Sequence, residues 1–122
     1  MIYLVDDDPI QNLITSQLMS KFLNELDYRI FNNGKELLDA LKTKPKPKII
    51  LLDINMPIMD GWELLEEYNR LDNQANVMML TSSLSIEDYE LSKKYDFVKG
   101  YYTKPIDEKV IVEILESVYY TS

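Results

Sequence analysis

The chain of 122 residues contains no cysteine and no histidine. Without cysteine there are no disulfides, thiolate nucleophiles or sulfur-bound metals. Without histidine there is no imidazole base, no imidazole-bound zinc and no phosphohistidine carrier. Metal or acid–base chemistry is left to carboxylates, hydroxyls, amides and lysine. Basic residues are outnumbered, 13 Lys+Arg against 21 Asp+Glu, for a net charge of −8. That balance argues against direct binding to duplex DNA, which needs clustered cations for its phosphates. Long hydrophobic runs are missing too. Runs such as Ile49–Leu52 and Val77–Leu80 fall far short of the roughly 20 apolar residues of a membrane span. No basic stretch precedes the first apolar run, so MIYLVDDDP is not a signal peptide. With no cysteine, the reading is a cytoplasmic protein. The length matches one domain over 1–122, since domains run to about 100–200 residues.

Five short apolar runs punctuate the chain: Ile2–Val5, Tyr28–Phe31, Ile49–Leu52, Val77–Leu80 and Val98–Tyr102. Each is too short for a helix and is followed by polar or turn residues. The first, third and fourth are continuous rather than alternating, which suits strands of a parallel sheet buried on both faces.

Helical patterns lie between them. Asp8-Pro9-Ile10-Gln11 supplies a cap, a first-turn proline and a Gln at the third position. Its expected apolar face is Ile10, Leu13, Ile14, Leu18 and Phe22. Asn33-Gly34 opens a second helix carrying Leu37, Leu38 and Leu41. Asp60-Gly61 opens a third with Leu64, Leu65, Tyr68 and Leu71; Trp62 there reads as a packing residue. Ser85 opens a fourth with Tyr89, Leu91 and Tyr95, whose apolar face is thin and whose end is expected to be irregular. Asp107 caps a fifth carrying Val110, Ile111, Ile114, Leu115 and Val118. Repeated strand–helix alternation predicts a doubly wound α/β domain. The lysine- and proline-rich stretch from Lys42 to Lys48 reads as a solvated loop.

In a parallel sheet with right-handed crossovers, the strand C-termini share one edge. The residues just beyond the five runs are Asp6-Asp7-Asp8, Asn32-Asn33, Asp53-Ile54-Asn55, Thr81-Ser82-Ser83 and Thr103-Lys104-Pro105. Carboxylates crowded at one edge repel, more so as water is excluded. A shared hard cation relieves this. Oxygen donors alone select Mg²⁺ or Ca²⁺. The Ca²⁺ loop spacing is absent, and few ligands at an open edge favour Mg²⁺. A divalent ion beside a carboxylate, a hydroxyl and a lysine suits phosphoryl transfer, where positioning and charge neutralisation do most of the work. Central Asp53 is the natural nucleophile, Lys104 a point charge for one oxygen, and Thr81 or Ser82 a donor to another. No GxxxxGK[ST] or GxGxxG loop is present, so a nucleotide donor is not indicated.

YLVDDDP, LLDINMPIMDG, MLTSS and YYTKP together resemble the receiver domain of bacterial two-component response regulators, over essentially the whole chain. The resemblance implies a flavodoxin-like (βα)5 three-layer sandwich with strand order 2-1-3-4-5. It implies Asp53 as phosphoacceptor, loaded by a sensor histidine kinase or a histidine phosphotransfer protein. Asp7 and Asp53 then ligate Mg²⁺ (Mn²⁺ being an alternative), with Asp6 acting through water and Asn55 through its backbone carbonyl. Thr81 resembles the switch hydroxyl, Ser82 a small residue leaving room for the phosphoryl group, and Lys104 the phosphate-binding lysine. The bond to Pro105 is expected to be cis. Tyr101 falls at the aromatic switch position, with neighbouring Tyr102 easily confused with it. Asn55 and Ser83 sit where they tune phosphoryl lifetime.

The implied output is a changed affinity for a downstream protein at the face of helix four, strand five and helix five. The protein is expected to be a stand-alone module, monomeric or weakly dimeric, assisting its own phosphorylation and dephosphorylation without independent turnover. A haloacid-dehalogenase-like phosphatase is disfavoured by Asn55, where that chemistry needs a second Asp. A pseudo-receiver lacks a site residue, and none is missing here. A flavodoxin-like cofactor binder lacks support because its phosphate loop is absent.

Overall fold

A computed structural model describes residues 2–22, 28–43, 47–54, 61–71, 75–81, 85–104 and 106–117. The elements alternate as expected: β1 (Ile2–Val5), α1 (Pro9–Ser20), β2 (Tyr28–Phe31), α2 (Gly34–Thr43), β3 (Ile49–Asp53), α3 (Gly61–Tyr68), β4 (Asn76–Thr81), α4 (Ile86–Ser92), β5 (Val98–Thr103) and α5 (Glu108–Leu115). The strands form one parallel sheet in the order β2-β1-β3-β4-β5. Among the described residues, no helix is long and apolar enough to cross a membrane.

The continuous apolar runs serve two cores at once, because successive strand side chains point to opposite faces. Tyr3, Val5, Ile50, Leu52, Val77 and Met79 join Leu37, Leu38, Leu64, Leu65 and Tyr68 on one side of the sheet. Ile2, Leu4, Ile49, Leu51, Met78 and Leu80 join Met19, Ile111, Ile114 and Leu115 on the other. Helices α2 and α3 thus cover one face and α1 and α5 the other. Trp62 is a packing residue, partly buried against the first core.

The capping reading is accurate where it lies within the described residues. Asp8 accepts from Ile10 N–H, Ser85 from Asp88 N–H and Asp107 from Val110 N–H. The Asp60 cap lies outside the described residues, as do Lys44 to Lys46 and Val118.

The apolar face assigned to α1 is corrected. Ile10, Leu13 and Ile14 are exposed, Phe22 lies beyond the helix and is 40% exposed, and Leu18 is only partly buried. The face turned to the core carries Asn12, Thr15, Ser16 and Met19. Met19, with Leu18 partly buried beside it, joins this face to the second core. The buried polar groups then need internal partners, since an unpaired one costs about 1–3 kcal/mol. Ser16 Oγ donates to the Leu13 carbonyl at 2.9 Å, and Asn12 Nδ2 donates to the Asp6 carbonyl at 3.0 Å.

Helix α4 also ends earlier than its apolar spacing suggests. After Ser92 the chain tightens into i→i−3 bonds, from Lys93 to Glu90, Lys94 to Leu91 and Tyr95 to Ser92. Tyr95 therefore sits in the turn, with its ring tilted on Phe97. Its hydroxyl reaches across to the Glu66 carboxylate of α3.

Candidate functional site

Three strand ends carry the site. β3 and β4 each run one residue further than their apolar runs, so Asp53 and Thr81 are paired strand residues: Asp53 opposite Leu80, Thr81 opposite Thr103. Their backbones are therefore set by the sheet ladder rather than by a loop. β1 ends one residue earlier. Asp6 lies just past it, still tied to the edge strand by its N–H, which donates to the Phe31 carbonyl at 3.1 Å. Strands β1 and β3 are neighbours in the sheet, so the acidic turn after one lies beside the terminal aspartate of the other.

One carboxylate oxygen from each of Asp6, Asp7 and Asp53 falls within 4.8 Å of the others. Asp6 and Asp53 are each only 4% exposed, whereas Asp7 faces solvent. Lys104 enters this group from the end of β5. Its Nζ lies 2.5 Å from Asp6 Oδ2 and 3.2 Å from Asp53 Oδ1, with the lysine side chain 13% exposed. The lysine is held in place by its own backbone, whose N–H donates to the Thr81 carbonyl at 2.6 Å. The other Asp6 oxygen, Oδ1, accepts from Asp8 N–H at 2.9 Å. Asp8 thus caps α1 and also steadies Asp6.

The electrostatics are unbalanced. Among the described residues, three carboxylates face one ammonium. The acidic groups outnumber the basic one, an excess that a divalent cation would offset. The donor set is oxygen only, and Asp7 leaves the cluster open on its solvent side. Both features fit a hard, partly hydrated ion.

Thr81 is 1% exposed at the end of β4, in the same rim. On β5, neighbouring residues diverge. Tyr101 packs with the core on the α3 side and meets Tyr89 of α4 edge-on at 5.6 Å, while Tyr102 packs against the opposite core. Burial raises the Tyr101 phenol above its usual range, and the Asp88 charge adds to this. Tyr101 Oη is enclosed and has no hydrogen-bond partner among the described residues. Asn55, Ser82, Ser83 and Pro105 lie outside the described residues. Asn12 is the site neighbour that the sequence reading missed. Its signal was a carboxamide one turn after the Asp8 cap, on the flank opposite the aliphatic residues.

The response regulator receiver domain model matches residues 2–116. Sporulation initiation phosphotransferase F of Bacillus subtilis is 31% identical over 92 residues, covering 74% of this chain and 73% of that protein. A two-component response regulator from Legionella pneumophila superposes with a TM-score of 0.88 at 26% identity, over 98% of each chain. The Mn²⁺-bound form of response regulator Rcp1 superposes with a TM-score of 0.82 at 25% identity, over 99% of this chain and 96% of that one. The chain belongs to the response regulator receiver domain family and is a phosphoacceptor signalling module of the two-component type.

Proposed function

We propose that Asp53 is the phosphoacceptor and that residues 1–122 act as one receiver domain, loaded by a sensor histidine kinase or a histidine phosphotransfer protein. The observation that carries this reading is the meeting of buried Asp53 with Lys104 at 3.2 Å, inside an acidic cluster at the end of the central strand. Asp6, Asp7 and Asp53, together with the Asn55 backbone carbonyl, are the residues that would hold Mg²⁺, or Mn²⁺ in its place. Once bound, the ion neutralises charge on the donor's phosphoryl oxygens.

The chain's own residues do the rest. An Asp53 carboxylate oxygen attacks phosphorus, forming the acyl phosphate as the bond from phosphorus to the donor nitrogen breaks. Lys104, already between Asp6 and Asp53, turns its ammonium to an equatorial phosphoryl oxygen. Thr81 donates to another, and Ser82 takes the family's small-residue role beside it. Asn55 and Ser83, by their resemblance to the family's positions, tune the lifetime of the phosphoryl group. The chain assists its own loading and hydrolysis and turns over no separate substrate.

The output surface is the face of α4, β5 and α5. A cavity of about 310 Å³ opens there, lined by Tyr89, Ser92, Lys93, Val98, Lys99 and Tyr101 among others. When Thr81 is drawn to the phosphoryl group, Tyr101 moves into the space it leaves. This biases the face between two states rather than creating a new fold.

The test is acetyl phosphate with Mg²⁺, read by intact mass. Wild type is expected to gain one phosphoryl group and Asp53→Asn none. Equal adducts on both proteins would place the acceptor elsewhere.

A further inference from the structure

We propose that Asn12 is a positioning residue for the metal-facing carboxylates, acting through the peptide between Asp6 and Asp7. The inference rests on the metal-dependent reading of the acidic cluster. Asn12 is 3% exposed and points from the core side of α1 toward the end of β1, where its Nδ2 donates to the Asp6 carbonyl at 3.0 Å.

The position of that carbonyl gives the bond its consequence. Asp6 follows the last residue of β1, beyond the paired register Val5↔Phe31 and Val5↔Leu52. Its N–H is still tied to the Phe31 carbonyl, and its carboxylate is held by Asp8 N–H and Lys104 Nζ. The carbonyl side of the residue has left the ladder. Its orientation is the orientation of the whole planar peptide that leads into Asp7, because the peptide unit turns as one body.

Asp7 is exposed, yet one of its oxygens converges with those of Asp6 and Asp53. The Asn12 amide, anchored in the first turn of α1 by its own N–H to the Asp8 carbonyl at 3.1 Å, therefore sets the direction in which Asp7 leaves the strand. A buried carboxamide is an expensive choice for a helix face that an aliphatic residue could fill. The bond to Asp6 is its compensation.

Groups that orient a metal ligand without touching the metal typically change affinity about 10–100-fold when removed. The direct test is Mg²⁺ titration by calorimetry on the full chain, comparing wild type with Asn12→Leu, which keeps much of the volume and removes the donor. Thr15→Val is the control, since it alters the same buried face without reaching the rim. Asn12→Leu is expected to bind Mg²⁺ about tenfold more weakly and to shift the Asp7 backbone amide resonance in the metal-free protein. Thr15→Val is expected to stay within about twofold of wild type, well below the range for a lost orienting group. Asn12→Ala repeats the measurement should the leucine variant fold poorly, with circular dichroism confirming the fold.

Wild-type affinity in both Asn12 variants would overturn the proposal and leave the metal reading standing. So would an equal loss in Thr15→Val, which would make the effect one of packing. Absence of Mg²⁺ binding by wild type would overturn the metal reading itself, and the role of Asn12 with it.

Discussion

Lys104 Nζ lies 2.5 Å from Asp6 Oδ2 and 3.2 Å from Asp53 Oδ1, so one ammonium serves two buried carboxylates of different strands. Among the described residues it is the cation that faces the cluster, so a dication bound there is expected to compete with it for the same oxygens. Removing it by Lys104→Met leaves both carboxylates without this partner, at a cost of about 3–5 kcal/mol when no metal is present. A ligand that binds only the folded state restores stability by mass action. The variant is expected to melt lower than wild type in a chelator, and to gain more from Mg²⁺ than wild type does. Its phosphorylation by acetyl phosphate is expected to slow by about 100-fold, the typical loss of one donor to a developing oxyanion. Thermal melts with and without Mg²⁺, alongside intact-mass kinetics, check both. An identical Mg²⁺ response in the two proteins would remove Lys104 from its counterion role.

The Tyr95 hydroxyl joins the turn after α4 to Glu66 of α3. Burial first, then the hydrogen bond and charge of Glu66, push this phenol up to about 12 from 10.0. The folded state therefore favours the neutral phenol. The associated stability is complete below the ordinary value of 10.0 and is lost as pH rises through about 12. Wild type is expected to lose stability across that alkaline window. Tyr95→Phe is expected to start about 1 kcal/mol lower at neutral pH, for one lost hydrogen bond, and to decline less steeply above 10.0. Urea titrations at neutral pH and within the window measure the difference. Parallel declines would show that Tyr95 does not carry the alkaline loss.

The rotation of α1 is testable by substitutions of opposite expectation. Ile10→Ser and Leu13→Gln alter exposed positions and are expected to change stability by no more than about 0.5 kcal/mol. Met19→Ala empties a site that is 0% exposed and is expected to cost about 2–5 kcal/mol. Denaturant midpoints at unchanged slope decide it. The reverse ranking would restore the aliphatic face to the core.

Much of this molecule is legible in one dimension. The continuous runs Ile2–Val5 and Ile49–Leu52 declare strands with two buried faces, because a one-sided strand would alternate. Asp8, Ser85 and Asp107 mark helix starts because a short side-chain oxygen satisfies an N–H that the helix leaves open. The rim residues are legible for a topological reason: parallel strands joined by right-handed crossovers end on one edge, so Asp6, Asp53, Thr81 and Lys104 share it.

The sequence by itself therefore determined the alternation, the caps and the membership of the rim, all of which depend on local spacing and chain direction. Only the tertiary structure decided which side of α1 faces inward. Aliphatic and small polar residues both recur there at helical spacing, and the choice rests on Met19 joining the second core and on the Asn12 bond to the Asp6 carbonyl. It alone decided that Tyr101 and Tyr102 serve opposite cores, and that Lys104 is shared between Asp6 and Asp53. Those outcomes depend on distances between atoms far apart along the chain, which no local pattern encodes.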